Sequence, residues 1–165
     1  MRILALDPAA RTGFAHSDGH CGVWLLGSGD RRLQVLDERI SKAIEAWGCD
    51  VIAYESATFG SRHAHVMRMH NELAGVIQLV AVREQVQCWS YPPSQWKAIA
   101  LGSGRADKQG VMRLLRIVYG IEVADADIAD AIGILKAAEK GPPPESRKKQ
   151  RRAAEKRLRK MPRLF

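Results

Sequence analysis

The chain has 165 residues, 46% of them hydrophobic, which suits one domain with a single sizeable core and a short appendage. Its formal net charge of +8 is unevenly placed: residues 140–165 hold eleven Lys/Arg against Glu145 and Glu155 and carry +9, whereas residues 1–139 sum to −1. No apolar run approaches a membrane span, Met1-Arg2 leads into a run too short for a secretory signal, and Cys21, Cys49 and Cys88 show no CxxC spacing; the expectation is a cytoplasmic protein with buried reduced thiols and no membrane partner, zinc site or disulfide framework.

Residues 2–7 read as a buried strand ending in Asp7. Residues 13–16 and 22–26 read as two more, joined by the turn signal Ser17-Asp18-Gly19, so the chain opens as a three-stranded antiparallel meander. Residues 31–47 carry Leu33, Leu36, Ile40, Ala43, Ile44 and Trp47 at helical spacing, with Gly48 as the stop. The apolar run Val51-Ile52-Ala53-Tyr54 follows and ends in Glu55. A strand, helix, strand order sets this strand parallel to the first, so Asp7 and Glu55 emerge at the same sheet edge.

Residues 62–84 form the longest helical pattern, and its stripe of Val66, Met69, Leu73, Val76, Ile77 and Val80 reads as core. Residues 86–90 make a fifth strand stopped by Pro92-Pro93, and Ser94 is placed as the cap of a helix through Leu101. Gly102-Ser103-Gly104 breaks that helix; two more run from about 107 to 119 and from about 126 to 139. Gly141-Pro142-Pro143-Pro144 is a stiff extended linker between a body, residues 1–140, and a basic tail, residues 141–165. A near-neutral body with a basic tail points to a polyanionic partner, nucleic acid, over a tail that only aids solubility.

Asp127 and Asp130 lie three apart at the start of the last helix, a spacing that turns both carboxylates to one face. Asp125 or Asp127 would equally serve as an N-cap. Asp130 resists that reading, because it lies past the first turn beside Ala129, Ala131, Ile132 and Ile134, where an acid is costly unless paired or bound to a cation. Asp7-Pro8 alone reads as well as an ordinary turn, and Glu55 alone as an acid facing water. Together, two acids closing buried strands and a helical pair make a set suited to two divalent cations. Hard carboxylate ligands favour Mg²⁺, with Mn²⁺ as a substitute, over zinc.

The segments Leu4-Ala5-Leu6-Asp7-Pro8…Thr12-Gly13, Val51-Ile52-Ala53-Tyr54-Glu55, Tyr91-Pro92-Pro93-Ser94-Gln95-Trp96-Lys97, Gly102-Ser103-Gly104-Arg105-Ala106-Asp107-Lys108 and Asp127-Ile128-Ala129-Asp130-Ala131 resemble, in order and spacing, the RuvC-type Holliday-junction resolvases of the ribonuclease H-like superfamily. Ala9-Ala10 replaces the glycine-serine turn usual in bacterial members, and residues 56–72 look more like the divergent phage-encoded branch. The resemblance implies an α/β fold: a mixed five-stranded sheet, antiparallel in its first three strands and then parallel, flanked by helices. It also implies a homodimeric, structure-selective endonuclease that resolves four-way junctions by paired nicking and leaves 5′-phosphate and 3′-hydroxyl ends.

On this resemblance Asp7, Glu55, Asp127 and Asp130 hold two Mg²⁺ ions across the scissile phosphate, and Lys108 contacts phosphate beside them. Arg105 of the same loop, Arg62 and His63 are candidate DNA contacts. Phe59 is read as stacking against bases, with a place in the core nearly as plausible. Arg147, Lys148, Lys149, Arg151 and Arg152 of the tail are the candidates for sequence-independent phosphate binding. The competing readings are a nuclease of broader branched-DNA or RNA–DNA hybrid specificity on the same fold, and a non-catalytic nucleic-acid-binding protein.

Overall fold

A computed structural model describes residues 1–57 and 64–144. The order of elements is β1 (Ile3–Asp7), β2 (Arg11–His16), β3 (Cys21–Leu25), α1 (Arg31–Trp47), β4 (Val51–Glu55), α2 (Ala64–Arg83), β5 (Gln87–Tyr91), α3 (Pro93–Leu101), α4 (Lys108–Tyr119) and α5 (Ala126–Ala138). The strands form one sheet in the order β3-β2-β1-β4-β5. β2 runs antiparallel to β1 and β3; β4 is parallel to β1 and β5. This is the expected mixed sheet, with β1 at its centre.

Both faces of that sheet are covered, which is why β1 and β4 read as unbroken apolar runs instead of alternating ones. Strand alternation sorts the side chains. Leu4 and Leu6 of β1 and Ile52 and Tyr54 of β4 pack toward α1 and α2 with Leu36, Ile40, Leu73, Ile77 and Val80. Ile3, Ala5, Val51 and Ala53 face the other way, against α5, Trp96 of α3 and Val111 and Leu115 of α4. The odd-numbered positions therefore look at α5, and continuing the alternation by one step aims Asp7 and Glu55 at it.

The helix α5 is unusual in being buried almost all round, from Ala129 through Ala138 except Lys136. Small residues let it lie close. At Gly133 a Cβ would stand 2.3 Å from the ring of Trp96, and at Gly13 of β2 a Cβ would stand 2.0 Å from the carbonyl oxygen of Asp127. Glycine at these two places is what allows the N-terminal turn of α5 to rest on the sheet beside Asp7, which pairs with Gly13.

Several expectations shift. Ser94 does not cap α3: Pro92 holds the cap position without a side-chain bond and Pro93 sits in the first turn, where its missing N–H is harmless. Val66 is 37% exposed and drops out of the expected stripe; Leu73, Ile77 and Val80 are buried, and Met69 and Val76 pack against that core partly buried. Cys21 is exposed; of the three free thiols Cys49 is the buried one. β2 begins at Arg11, two residues earlier than expected, which brings Arg11 and Thr12 into the sheet. Gly48 and Gly102 do end their helices. The start of the linker lies along α3: Tyr91 Oη donates to the Gly141 carbonyl at 2.6 Å, Lys140 Nζ to that of Ile99 at 2.7 Å, and Gln95 Nε2 to that of Pro144 at 3.3 Å.

Candidate active site

Two strand ends and one helix start meet at the C-terminal edge of β1 and β4. Asp125 is the residue that caps α5: its Oδ1 accepts from the backbone N–H of Asp127 at 2.9 Å and of Ile128 at 3.2 Å. With that position taken, neither Asp127 nor Asp130 is needed as the cap, and the two lie one turn apart on α5. Asp130 is 8% exposed, and its Oδ1 is buried with no hydrogen-bond partner. A buried, orphaned carboxylate oxygen is costly unless a cation meets it.

The electrostatics confirm that the four acids share one region. Burial, then repulsion from Glu55, Asp130 and Asp127, pushes the Asp7 carboxyl from 3.8 up to about 8. Burial also raises Glu55, although the indole of Trp96 donates to its Oε2 at 2.6 Å and opposes the shift. Asp130 is raised by burial as well, with Lys97 and Lys108 pulling the other way. The helix-start pair and the strand-end pair thus feel one another.

Asp127 is held differently. Arg11 Nη1 donates to its Oδ2, and Lys108 Nζ lies 3.3 Å from its Oδ1, so cations occupy both carboxylate oxygens. Arg11 Nη2 is simultaneously bonded to Asp125 Oδ2. Arg11 holds the Asp125 carboxyl down at about 2. Lys108, against the opposing pull of burial, is raised chiefly by its bond to Asp127. Among the described residues no three Asp, Glu, His or Cys groups gather into a ready metal cage. The donor set still fits a hard divalent cation: all ligands are carboxylates, one oxygen is orphaned and the Asp7 carboxyl is pushed up by its acidic neighbours.

Asp7, Glu55, Asp127, Asp130 and Lys108 therefore come together as expected. Arg105 is exposed on the turn between α3 and α4. Phe59, Arg62 and His63 lie outside the described residues, as do Arg147, Lys148, Lys149, Arg151 and Arg152. The sequence reading missed Arg11, which had no assigned role, and treated Trp96 only as part of a motif. The signal for Arg11 was faint, since only the docking of α5 on β2 shows what an arginine after Asp7-Pro8-Ala9-Ala10 would meet.

A five-stranded sheet of this order, with acids closing its central parallel strands beneath a buried helix, defines a ribonuclease H-like protein. The family described as crossover junction endodeoxyribonuclease RuvC matches residues 25–137, and the chain belongs to it. RuvC of Trichlorobacter lovleyi is 28% identical over 147 residues, covering 81% of this chain and 82% of that protein. RuvC of Saccharopolyspora erythraea is 31% identical over 149 residues, covering 81% and 74%. Among solved structures, T. thermophilus RuvC in complex with Holliday junction substrate superposes with a TM-score of 0.70 at 19% identity, covering 87% of this chain and 99% of that one. The yeast mitochondrial Holliday junction resolvase gives 0.54 at 14% identity, covering 82% and 76%. No helix among the described residues is long and apolar enough to cross a membrane.

Proposed function

We propose that the chain is a divalent-metal-dependent endonuclease that resolves four-way DNA junctions by paired nicking, leaving 5′-phosphate and 3′-hydroxyl ends. The observation that carries this reading is the buried, orphaned Asp130 Oδ1 beside an Asp7 carboxyl raised to about 8, in a chain of the RuvC family. Asp7, Glu55, Asp127 and Asp130 would hold two Mg²⁺ ions, or Mn²⁺ in their place. Such ions, when bound, supply water activation and charge stabilisation of the leaving oxygen.

The chain's own residues do the rest. Trp96 fixes the orientation of Glu55 through its N–H, and Gly13 keeps the Asp127 backbone against β2. Lys108, 66% exposed, stands at the solvent side of the cluster, where a phosphate would meet it. Arg105 and the basic tail add phosphate contacts that position DNA without reading its sequence. Cutting two opposed strands needs two sites, so a homodimer belongs to this reading. Leu79 and Val82, 63% and 78% exposed on α2, offer an apolar face for it. Placement on a phage-like branch of the family is part of the same proposal and rests on residues 56–72 and Ala9-Ala10.

The experiment is nicking of a synthetic four-way junction in Mg²⁺ and in EDTA, beside flaps, Y-forks and RNA–DNA hybrids. Symmetric, metal-dependent cuts in the junction alone, religatable without further processing, support the reading. Equal cutting of all substrates would replace junction selectivity with the broader nuclease, and junction binding without cuts would leave a binding protein.

A further inference from the structure

We propose that Arg11 is a latch on the metal site: it holds Asp127 away from a cation until a DNA phosphate draws it off. The inference rests on the divalent-metal reading of the acid cluster and concerns what that cluster does before DNA arrives.

The geometry is that of a forked side chain shared between two acids with different duties. Asp125 is fixed: its Oδ1 caps α5 and its Oδ2 takes Arg11 Nη2. Asp127 is the acid one expects to bind metal, and it takes Arg11 Nη1 on Oδ2. Arg11 can therefore let go of Asp127 and keep its mooring on Asp125, because Nη2 is given to Asp125 Oδ2 alone while Nη1 is shared between Asp127 Oδ2 and, at 3.3 Å, Asp125 Oδ1. The side chain is 49% exposed at the outer end of β2, on the same side as Lys108, so a backbone phosphate can reach it without rearranging the sheet. A divalent cation that wants Asp127 Oδ2 must displace a guanidinium that sits there already. The remaining acids are kept apart from such competition. Glu55 is held by the neutral indole of Trp96, and Asp130 keeps an oxygen with no partner at all.

The consequence is a coupling between DNA and metal. A phosphate that takes Arg11 frees Asp127 Oδ2 for the cation while Lys108 stays on Oδ1, and a cation on Oδ2 frees Arg11 for the phosphate. Such a coupling is reciprocal. It would keep the isolated protein poorly loaded and make the assembled site depend on substrate.

The test is isothermal titration of the full chain with Mn²⁺ in the absence of DNA, for the wild type, Arg11→Ala, Arg11→Lys and Asp7→Asn, with thermal melting as the check on folding. The latch predicts that Arg11→Ala binds Mn²⁺ roughly fivefold or more tightly than the wild type. Arg11→Lys should tighten it too, because an ammonium keeps the charge but has no fork to bridge Asp125 and Asp127. A mere field effect leaves the lysine variant at the wild-type value and overturns the latch. Weaker binding by Arg11→Ala also overturns it, since Arg11 would then be aligning Asp127 for the ion. In EDTA, Arg11→Ala should bind a four-way junction several-fold less tightly; unchanged affinity removes the hand-over to phosphate. If neither the wild type nor Arg11→Ala takes up Mn²⁺, the metal reading and the latch fall together. If the wild type binds it, Asp7→Asn loses it and Arg11→Ala gains nothing, the latch alone falls.

Discussion

The two ends of the parallel strands treat their acids in opposite ways. At the N-terminal end, Asp50 accepts from the Arg2 backbone N–H at 2.6 Å and from its guanidinium at 3.2 Å, which hold its carboxyl below the usual range. Nearby, Asp18 is bonded to both His16 and His20, and these bonds outweigh burial and hold it low as well. At the C-terminal end, Asp7, Glu55 and Asp130 are all pushed up by burial and by the like charge around them. Acids that stabilise a fold are paired and ionised. A cluster that is buried, mutually repelling and partly unpaired is being kept for something the folded chain alone does not supply.

The largest effect that would test this contrast is on cleavage. Replacing Asp7 by Asn should cut junction nicking by on the order of 10³-fold or more while leaving junction binding in EDTA intact. Unimpaired nicking by Asp7→Asn would sink the assignment of the catalytic end.

Next in size is a stability effect with a definite sign. Between 3.8 and about 8 the folded state keeps a proton on Asp7 that the unfolded chain has released. The metal-free protein should therefore lose stability as pH rises through that window, by up to about 6 kcal/mol from this group. Asp7→Asn should remove that slope, so that at pH 8 the variant melts above the wild type in EDTA. A wild-type melting point that does not decline relative to the variant would contradict the burial of this carboxyl. Added Mn²⁺ should reverse the order, since the ion stabilises only the protein that binds it.

Gly13→Ala comes third. Its Cβ would meet the Asp127 carbonyl at 2.0 Å, and backbone cannot swing away as a side chain can. A loss of about 2–3 kcal/mol in unfolding free energy, with nicking reduced as α5 lifts, is the expected result. At the other end, Asp50→Asn should be the mildest change: it removes an exposed pair and should leave nicking at the wild-type rate. A cleavage defect in that variant would mean the two ends are not independent.

Much of this was legible in the chain. The runs Ile3-Leu4-Ala5-Leu6 and Val51-Ile52-Ala53-Tyr54 read as strands because covering both faces removes alternation, and the intervening amphipathic helix made them parallel. Asp130 was legible for a related reason, as an acid in a segment too apolar to face water. The role of Asp125 was legible only as one of two alternatives, because the choice of cap depends on where the helix begins. Arg11 and Trp96 were not legible as site residues. Each acts across a long separation, Arg11 on Asp125 and Asp127 and Trp96 on Glu55, and such contacts exist only once α5 and α3 have docked. Nor could periodicity show that Val66 sits at the exposed start of its helix.

The hydrogen bond from Trp96 to Glu55 has an optical consequence. Excited indole moves electron density from its pyrrole ring toward its benzene ring, so an anion fixed at Nε1 lowers the energy of the emitting state. Trp96 is fully buried with Glu55 Oε2 at 2.6 Å from that nitrogen. Whatever neutralises Glu55, a proton or a cation, should move the emission of this one tryptophan to shorter wavelength. The chain thus carries a native fluorophore wired to one of its candidate catalytic acids.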